Sequence, residues 1–124
     1  MARVLFVEDN DDYRENLAVE LRQTGLEVLE ERLAEAAFSS LERCAPDMLL
    51  LDILMPPGEM NGIEMLAQLR DHDRWRKLPV IVLSALGEHL NPDIMARLDV
   101  RAVLTKTDVT GTDVARRIES VLKV

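Results

Sequence analysis

The sequence predicts an α/β protein built as a doubly wound parallel sheet with helices on both faces, and two observations predict it. Short apolar runs alternate with helix-periodic segments five times along the 124 residues. The central run, MLLLDIL, is continuously apolar, as a strand covered on both sides requires. Strict β/α alternation implies parallel strands joined by right-handed crossovers. For five strands the common doubly wound order is 2-1-3-4-5, with ligands bound beyond the carboxyl ends where strands 1 and 3 adjoin.

The elements follow in order. RVLFV (Arg3 to Val7) reads as the first strand, and Tyr13, Leu17 and Leu21 recur at helical spacing until Gly25 stops the helix. LEVLE, from Leu26, alternates like a half-exposed strand. Ala34, Ala37, Phe38, Leu41 and Ala45 mark a second helix closed by Pro46, and the apolar run with Asp52 near its end is strand 3. Asn61 opens the third helix as its cap, with Glu64 reaching back, and Met65, Leu66 and Leu69 form its buried stripe. PVIVLSA, from Pro79, is strand 4. A short helix begins with Asn91 as cap and Pro92 at its first position. RAVLT (Arg101 to Thr105) is strand 5, and Val114, Ile118, Val121 and Leu122 define the closing helix.

Composition narrows the function. The length suits one domain over residues 1–124, and 48% hydrophobic residues suffice for a full core. Fifteen Lys and Arg against 23 Asp and Glu leave a net charge of -8, which argues against direct binding to nucleic acid or to an anionic membrane. Cys44 is the single cysteine, so neither an internal disulfide nor a CxxC site exists, and a reducing compartment fits. No apolar run spans a bilayer, and MARVLFVEDN turns acidic where a signal peptide would continue apolar, so a cytoplasmic location is expected.

The chemistry-bearing residues collect at one edge. Glu8 and Asp9 end strand 1, Asp52 nears the end of strand 3, Ser84 ends strand 4 and Lys106 ends strand 5. In the predicted order these four strands are neighbours about 4.8 Å apart, so the side chains share one rim. Three carboxylates so close repel one another unless a cation sits among them, and Mg²⁺, which takes oxygen ligands and phosphate oxygens, is the natural occupant. Asp52 is then a candidate nucleophile toward phosphorus, Lys106 a point charge for a phosphoryl oxygen and Ser84 a hydrogen-bond donor to another. Taken singly, each has an ordinary alternative: Asp9 as a helix cap, Asp52 as a strand-end turn residue, Ser84 as a strand-end hydroxyl, Lys106 as a solvated charge.

VLFVEDN, LLLDILMP, VIVLSA and AVLTK, in this order and spacing, resemble the response-regulator receiver domain of two-component signalling, as in chemotaxis regulators, over essentially the whole chain. The resemblance implies a flavodoxin-like (βα)5 fold and phosphotransfer to Asp52 from a histidine kinase or histidine phosphotransferase. It implies Mg²⁺ held by Asp9, Asp52 and the backbone carbonyl of Leu54, with Glu8 acting mainly through water. It further implies that phosphorylation draws Ser84 inward and repacks the face of helix 4, strand 5 and helix 5, where an output domain, a downstream protein or a second copy in a homodimer would bind. The chain ends as its last helix finishes, which suits either a stand-alone regulator or a receiver cut from a longer protein.

Four departures from the family pattern stand out. The loop MPPGEMNG after Asp52 is two residues longer than usual, which alters the wall beside the site. Thr107 follows Lys106 where proline is usual, which argues against the usual cis peptide, since a non-proline cis bond costs about 3 kcal/mol. Val103 replaces the usual switch aromatic. Leu54 and Leu86 fill the two variable positions, and neither can orient an attacking water, so slow self-dephosphorylation is expected. The alternative reading is a pseudo-receiver, an interaction module that is not phosphorylated; loss of the aromatic and the proline supports it, and the complete Asp9, Asp52, Ser84, Lys106 set opposes it. An enzyme of the aspartate-nucleophile phosphatase type would place an Asp where Leu54 stands, and a flavodoxin would not place EDNDD against a phosphate. Trp75, among the charges of DRWRKLP, reads as a half-exposed surface residue at the far end of the sheet. Met55, Met60 and Met65 read as packing near the lengthened loop, and His72 and His89 as surface residues.

Overall fold

Residues 2–53 and 60–123 are described by a computed structural model. Five strands, β1 (Arg3–Val7), β2 (Glu27–Glu31), β3 (Met48–Leu51), β4 (Val80–Ser84) and β5 (Ala102–Thr105), form one sheet in the order 2-1-3-4-5. Every pairing is parallel, with Val7 beside Leu51 and Ser84 beside Thr105. The helices are α1 (Asp11–Gln23), α2 (Ala34–Cys44), α3 (Gly62–Asp71), α4 (Pro92–Arg97) and α5 (Gly111–Leu122). The predicted class, order and element positions therefore hold.

Alternation along each strand divides the core in two. Val4 and Phe6 of β1, with Leu50 and Ile81, face α1 and α5 through Leu17, Leu21, Val114 and Ile118. Leu5 and Val7, with Leu49, Leu51 and Val82, face α2 and α3 through Leu41, Met65 and Leu69. All of β3 is buried, which accounts for its unbroken apolar run. Local signals set the ends. Asn61 accepts the Glu64 N–H, and its own amide donates to the Glu64 carboxylate, so the expected reciprocal cap closes through side chains. Asn91 caps α4 with Pro92 at the first position. Gly25 takes φ +98°, the turn that sends the chain from α1 into β2.

Trp75 departs from expectation. It is 6% exposed and packs into the α2/α3 side of the core, because the segment after α3 folds back through bonds from Trp75 N–H to the His72 carbonyl and from Leu78 N–H to the Trp75 carbonyl. Its charged neighbour covers rather than exposes it: the Arg74 guanidinium stands 4.5 Å from the ring centroid. Met65 is fully buried and Met60 packs at the core margin, as read; Met55 lies outside the described residues. His72 and His89 are exposed. No helix among the described residues is long and apolar enough to cross a membrane.

At the amino edge of the sheet, Arg70, near the end of α3, clasps two loops. Its Nε donates to the Leu98 carbonyl at 2.7 Å, Nη1 to those of Leu78 (2.8 Å), Arg76 (3.0 Å) and Trp75 (3.3 Å), and Nη2 to that of Asp99 (3.3 Å). A guanidinium carries five donors on three nitrogens, enough to span acceptors in two loops; an ammonium carries three on a single atom. Arg70→Ala is expected to lower the unfolding free energy by about 1–3 kcal/mol, and Arg70→Lys to recover only part of it. Urea titration of the three proteins checks this, and full recovery by lysine would contradict the clasp.

Candidate functional site

The hydrogen-bond ladder continues one residue past the strands: Glu8 N–H donates to the Glu31 carbonyl (2.9 Å) and Asp52 N–H to the Val7 carbonyl (3.1 Å). These bonds carry both carboxylates off neighbouring strands at one level. Both are nearly sealed from solvent, at 1% and 3% exposure, while Asp9 is half-buried. One carboxylate oxygen from each of Glu8, Asp9 and Asp52 lies within 4.8 Å of the others.

Lys106 closes the rim from β5. Its strand is two places from β3, about 9–10 Å across the end of β4, a distance for a long side chain. Its Nζ reaches Asp52 Oδ2 at 2.9 Å and ion-pairs with Glu8 Oε1. Burial alone would lower the lysine's pKa, but the Glu8 and Asp52 carboxylates outweigh it and raise the value above its ordinary range. For Glu8 the balance is opposite. Burial dominates and pushes its pKa up to about 7, against the Lys106 ammonium and the Asn10 N–H, which donates to Glu8 Oε2 at 3.0 Å.

The cap of α1 decides between two readings of Asp9. Asn10, not Asp9, accepts the Tyr13 N–H (2.9 Å), so the Asp9 carboxylate is left at the rim. Arg14, buried on α1, donates to the Glu8 carbonyl (2.9 Å) and pairs with Asp11 and Glu30, which fixes the acidic pair from below. Gly62 fixes Asp52 from the α3 side. Its N–H donates to the Ile53 carbonyl, and a Cβ there would stand 2.6 Å from Ile53 Cα and 2.9 Å from the Asp52 carbonyl oxygen, so only glycine allows this approach.

The structure thus brings Glu8, Asp9, Asp52 and Lys106 together. Ser84 ends β4 at the same edge, fully buried, with its hydroxyl accepting the Leu86 N–H at 3.3 Å. Leu54 lies outside the described residues, as does most of the lengthened loop, of which Met60 is tied by its N–H to Glu35 of α2. The peptide bond into Thr107 is trans. Leu86 and Val103 are exposed. Sequence reading missed Tyr13 as a neighbour of the site: the Lys106 ammonium stands 4.5 Å from its ring centroid. Only its place in the first turn after the acidic pair hinted at this.

The donor set fits a hard divalent cation. Three carboxyl groups face one ammonium, and all the donors are oxygens. A 2-1-3-4-5 sheet with an acidic trio and a lysine at its carboxyl edge defines a signalling domain of the receiver class. The chain belongs to the response regulator receiver domain family, whose model matches residues 4–119. It is 35% identical over 86 residues to the phosphate regulon transcriptional regulatory protein PhoB of Escherichia coli, covering 69% of this chain and 37% of that protein. It is 36% identical over 102 residues to the KDP operon transcriptional regulatory protein KdpE of the same organism, covering 82% and 42%. The chain therefore spans about two fifths of the length of these relatives. Among solved structures, the receiver domain of a signal transduction histidine kinase from Syntrophus aciditrophicus matches at 26% identity and TM-score 0.81, covering 98% of this chain and 90% of that one. The Vibrio cholerae chemotaxis protein CheY4 shares the fold, with TM-score 0.85 at 21% identity and 98% coverage of each chain. Receiver domains bind Mg²⁺ in an acidic pocket and interact with histidine kinases and output domains.

A cation beside Glu8 stabilises its ionised form and so lowers its raised pKa. Mg²⁺ binding near pH 7 is therefore expected to release a proton, and affinity to weaken as pH falls below about 7, where Glu8 is protonated. Calorimetry in buffers of different ionisation enthalpy measures the proton count. Release that persists undiminished in Glu8→Gln would assign the proton elsewhere.

Proposed function

We propose that this receiver accepts a phosphoryl group on Asp52 from the phosphohistidine of a histidine kinase or phosphotransferase, and that the acyl phosphate then alters the affinity of the domain for other proteins. The observation carrying this reading is the contact of Lys106 Nζ with Asp52 Oδ2 at 2.9 Å inside an oxygen cluster fit for Mg²⁺. Asp52 supplies the attacking carboxylate oxygen; as its bond to phosphorus forms, the phosphorus–nitrogen bond breaks and the imidazole departs with the electron pair. Lys106 already touches the Asp52 carboxylate, within reach of a phosphoryl oxygen on it, and needs only to exchange a carboxylate oxygen for that one. Ser84, at the end of β4, supplies a hydroxyl for a second oxygen. Asp9, Asp52 and the Leu54 carbonyl would hold Mg²⁺, with Glu8 acting mainly through water, and the ion would supply charge neutralisation.

The proposed output surface is the face of α4, β5 and α5, which offers the exposed Val103 of β5 to an output domain, a separate protein or a second copy; Leu86 is exposed on the loop after β4. Val103 cannot signal by an aromatic rotamer change, so the readout rests on Ser84, the loop after β4 and α4. The chain is a phosphoacceptor that promotes its own phosphotransfer rather than an enzyme with turnover.

Incubation with acetyl phosphate and Mg²⁺, read by intact mass, is expected to add one phosphoryl group to the wild type and none to Asp52→Asn. No gain from acetyl phosphate or from a histidine phosphodonor would select the pseudo-receiver alternative. Because Leu86, and Leu54 in the family's other variable position, cannot hold an attacking water, the purified phosphoprotein is expected to lose its label slowly. Decay within seconds would contradict that assignment.

A further inference from the structure

Lysine is a poor choice for holding a charge at one point: its ammonium ends a flexible stem and is strongly hydrated. Here the ammonium is confined. Two carboxylates hold it on the inner side, and its side chain is 16% exposed at a position that begins a short 3-10 turn (Lys106–Asp108), so the backbone beneath it changes direction at that residue. On the remaining side stands the ring of Tyr13, 4.5 Å from Nζ to centroid, within the range where the ring face attracts a cation. The ring is itself anchored. Tyr13 lies in the first turn of α1, its N–H is held by the Asn10 cap at 2.9 Å, and it is half-buried against the α1/α5 side of the core.

We propose that Tyr13 is a positioning residue for phosphotransfer: its ring closes the outer side of the Lys106 ammonium, excluding water and keeping Nζ on the Asp52 side of the rim. The proposal rests on the phosphoacceptor reading. Its force comes from the moment of transfer. When a carboxylate of the resting trio is committed to phosphorus or to the cation, Lys106 loses part of what holds it, while the ring, which takes no part in the charge exchange, still bars the outward rotamers. The attraction is to the ring face, so the phenolic hydroxyl is dispensable and phenylalanine suffices.

The test uses Tyr13→Leu and Tyr13→Phe, each alone and in a Lys106→Ala background, in the full chain with saturating Mg²⁺. Initial phosphorylation rates with acetyl phosphate are measured, and circular dichroism shows that each protein folds. Tyr13→Leu is expected to slow phosphorylation about five- to tenfold, Tyr13→Phe to match the wild type, and Tyr13→Leu to add no further loss once Lys106 is alanine. A Tyr13→Leu protein as fast as the wild type overturns the proposal. So does an equal slowing with and without Lys106, or a phenylalanine variant as slow as leucine. A second measurement does not depend on phosphorylation: the Lys106 ε-methylene protons are expected to carry an upfield ring-current shift in the wild type and Tyr13→Phe that disappears in Tyr13→Leu. If the wild type takes no phosphoryl group, the phosphoacceptor reading fails, and absence of that shift would remove the contact as well.

Discussion

The arrangement at the carboxyl edge depends on one shared ion pair, the Lys106 ammonium between Glu8 and Asp52. Two carboxylates nearly sealed from water are costly when ionised and unpaired, and a buried ion pair is seldom the most stable solution available. The burial that raises Glu8 to about 7 shows that one ammonium does not fully offset what surrounds it. A rim in this state favours a further cation.

The frame serves that rim by being asymmetric. At the amino edge, Arg70 ties the segments before β4 and before β5 into one unit, and Trp75 is sealed into the core under Arg74. At the carboxyl edge the chain leaves the strands after single ladder bonds, and close backbone approaches do the fixing: Gly62 against Ile53, and Gly87, where a Cβ would stand 3.0 Å from the Leu104 carbonyl oxygen. The amino edge thus gives the edge that carries the candidate site a fixed base.

The fold was legible because it depends on period and alternation: each strand is short and apolar, each helix has a capping residue or a stop, and the sheet order follows from general topology. The rim was legible for the same reason, since a residue at a strand end is placed by counting. Readings failed or stayed silent where a side chain's destination depends on a tertiary fold-back or on which of two neighbours takes a local role. Trp75 sits in a charged stretch, yet the turn from His72 to Leu78 carries it inward. Asp9 and Asn10 can each cap a helix, and their identity alone does not say which does. Arg70 resembles any helix-terminal arginine until five carbonyls from two loops converge on it.

The first turn of α1 carries more of the site than its own residues suggest. Asn10 accepts the Tyr13 N–H with its side chain while its own N–H donates to Glu8. Arg14, one residue on, binds the Glu8 carbonyl. Tyr13 stands over Lys106. Helix start, acidic pair and lysine are thus joined through consecutive bonds. Rotating this turn relative to β1 would disturb Glu8 and Lys106 together, whereas rotating α4 would leave both in place. The proposed function asks that the carboxylates and the lysine keep their places while the output face changes. On the proposed reading the reacting side rests on a capped, salt-bridged helix start and the output side on the six-residue α4, so the two requirements fall on separate elements of one fold.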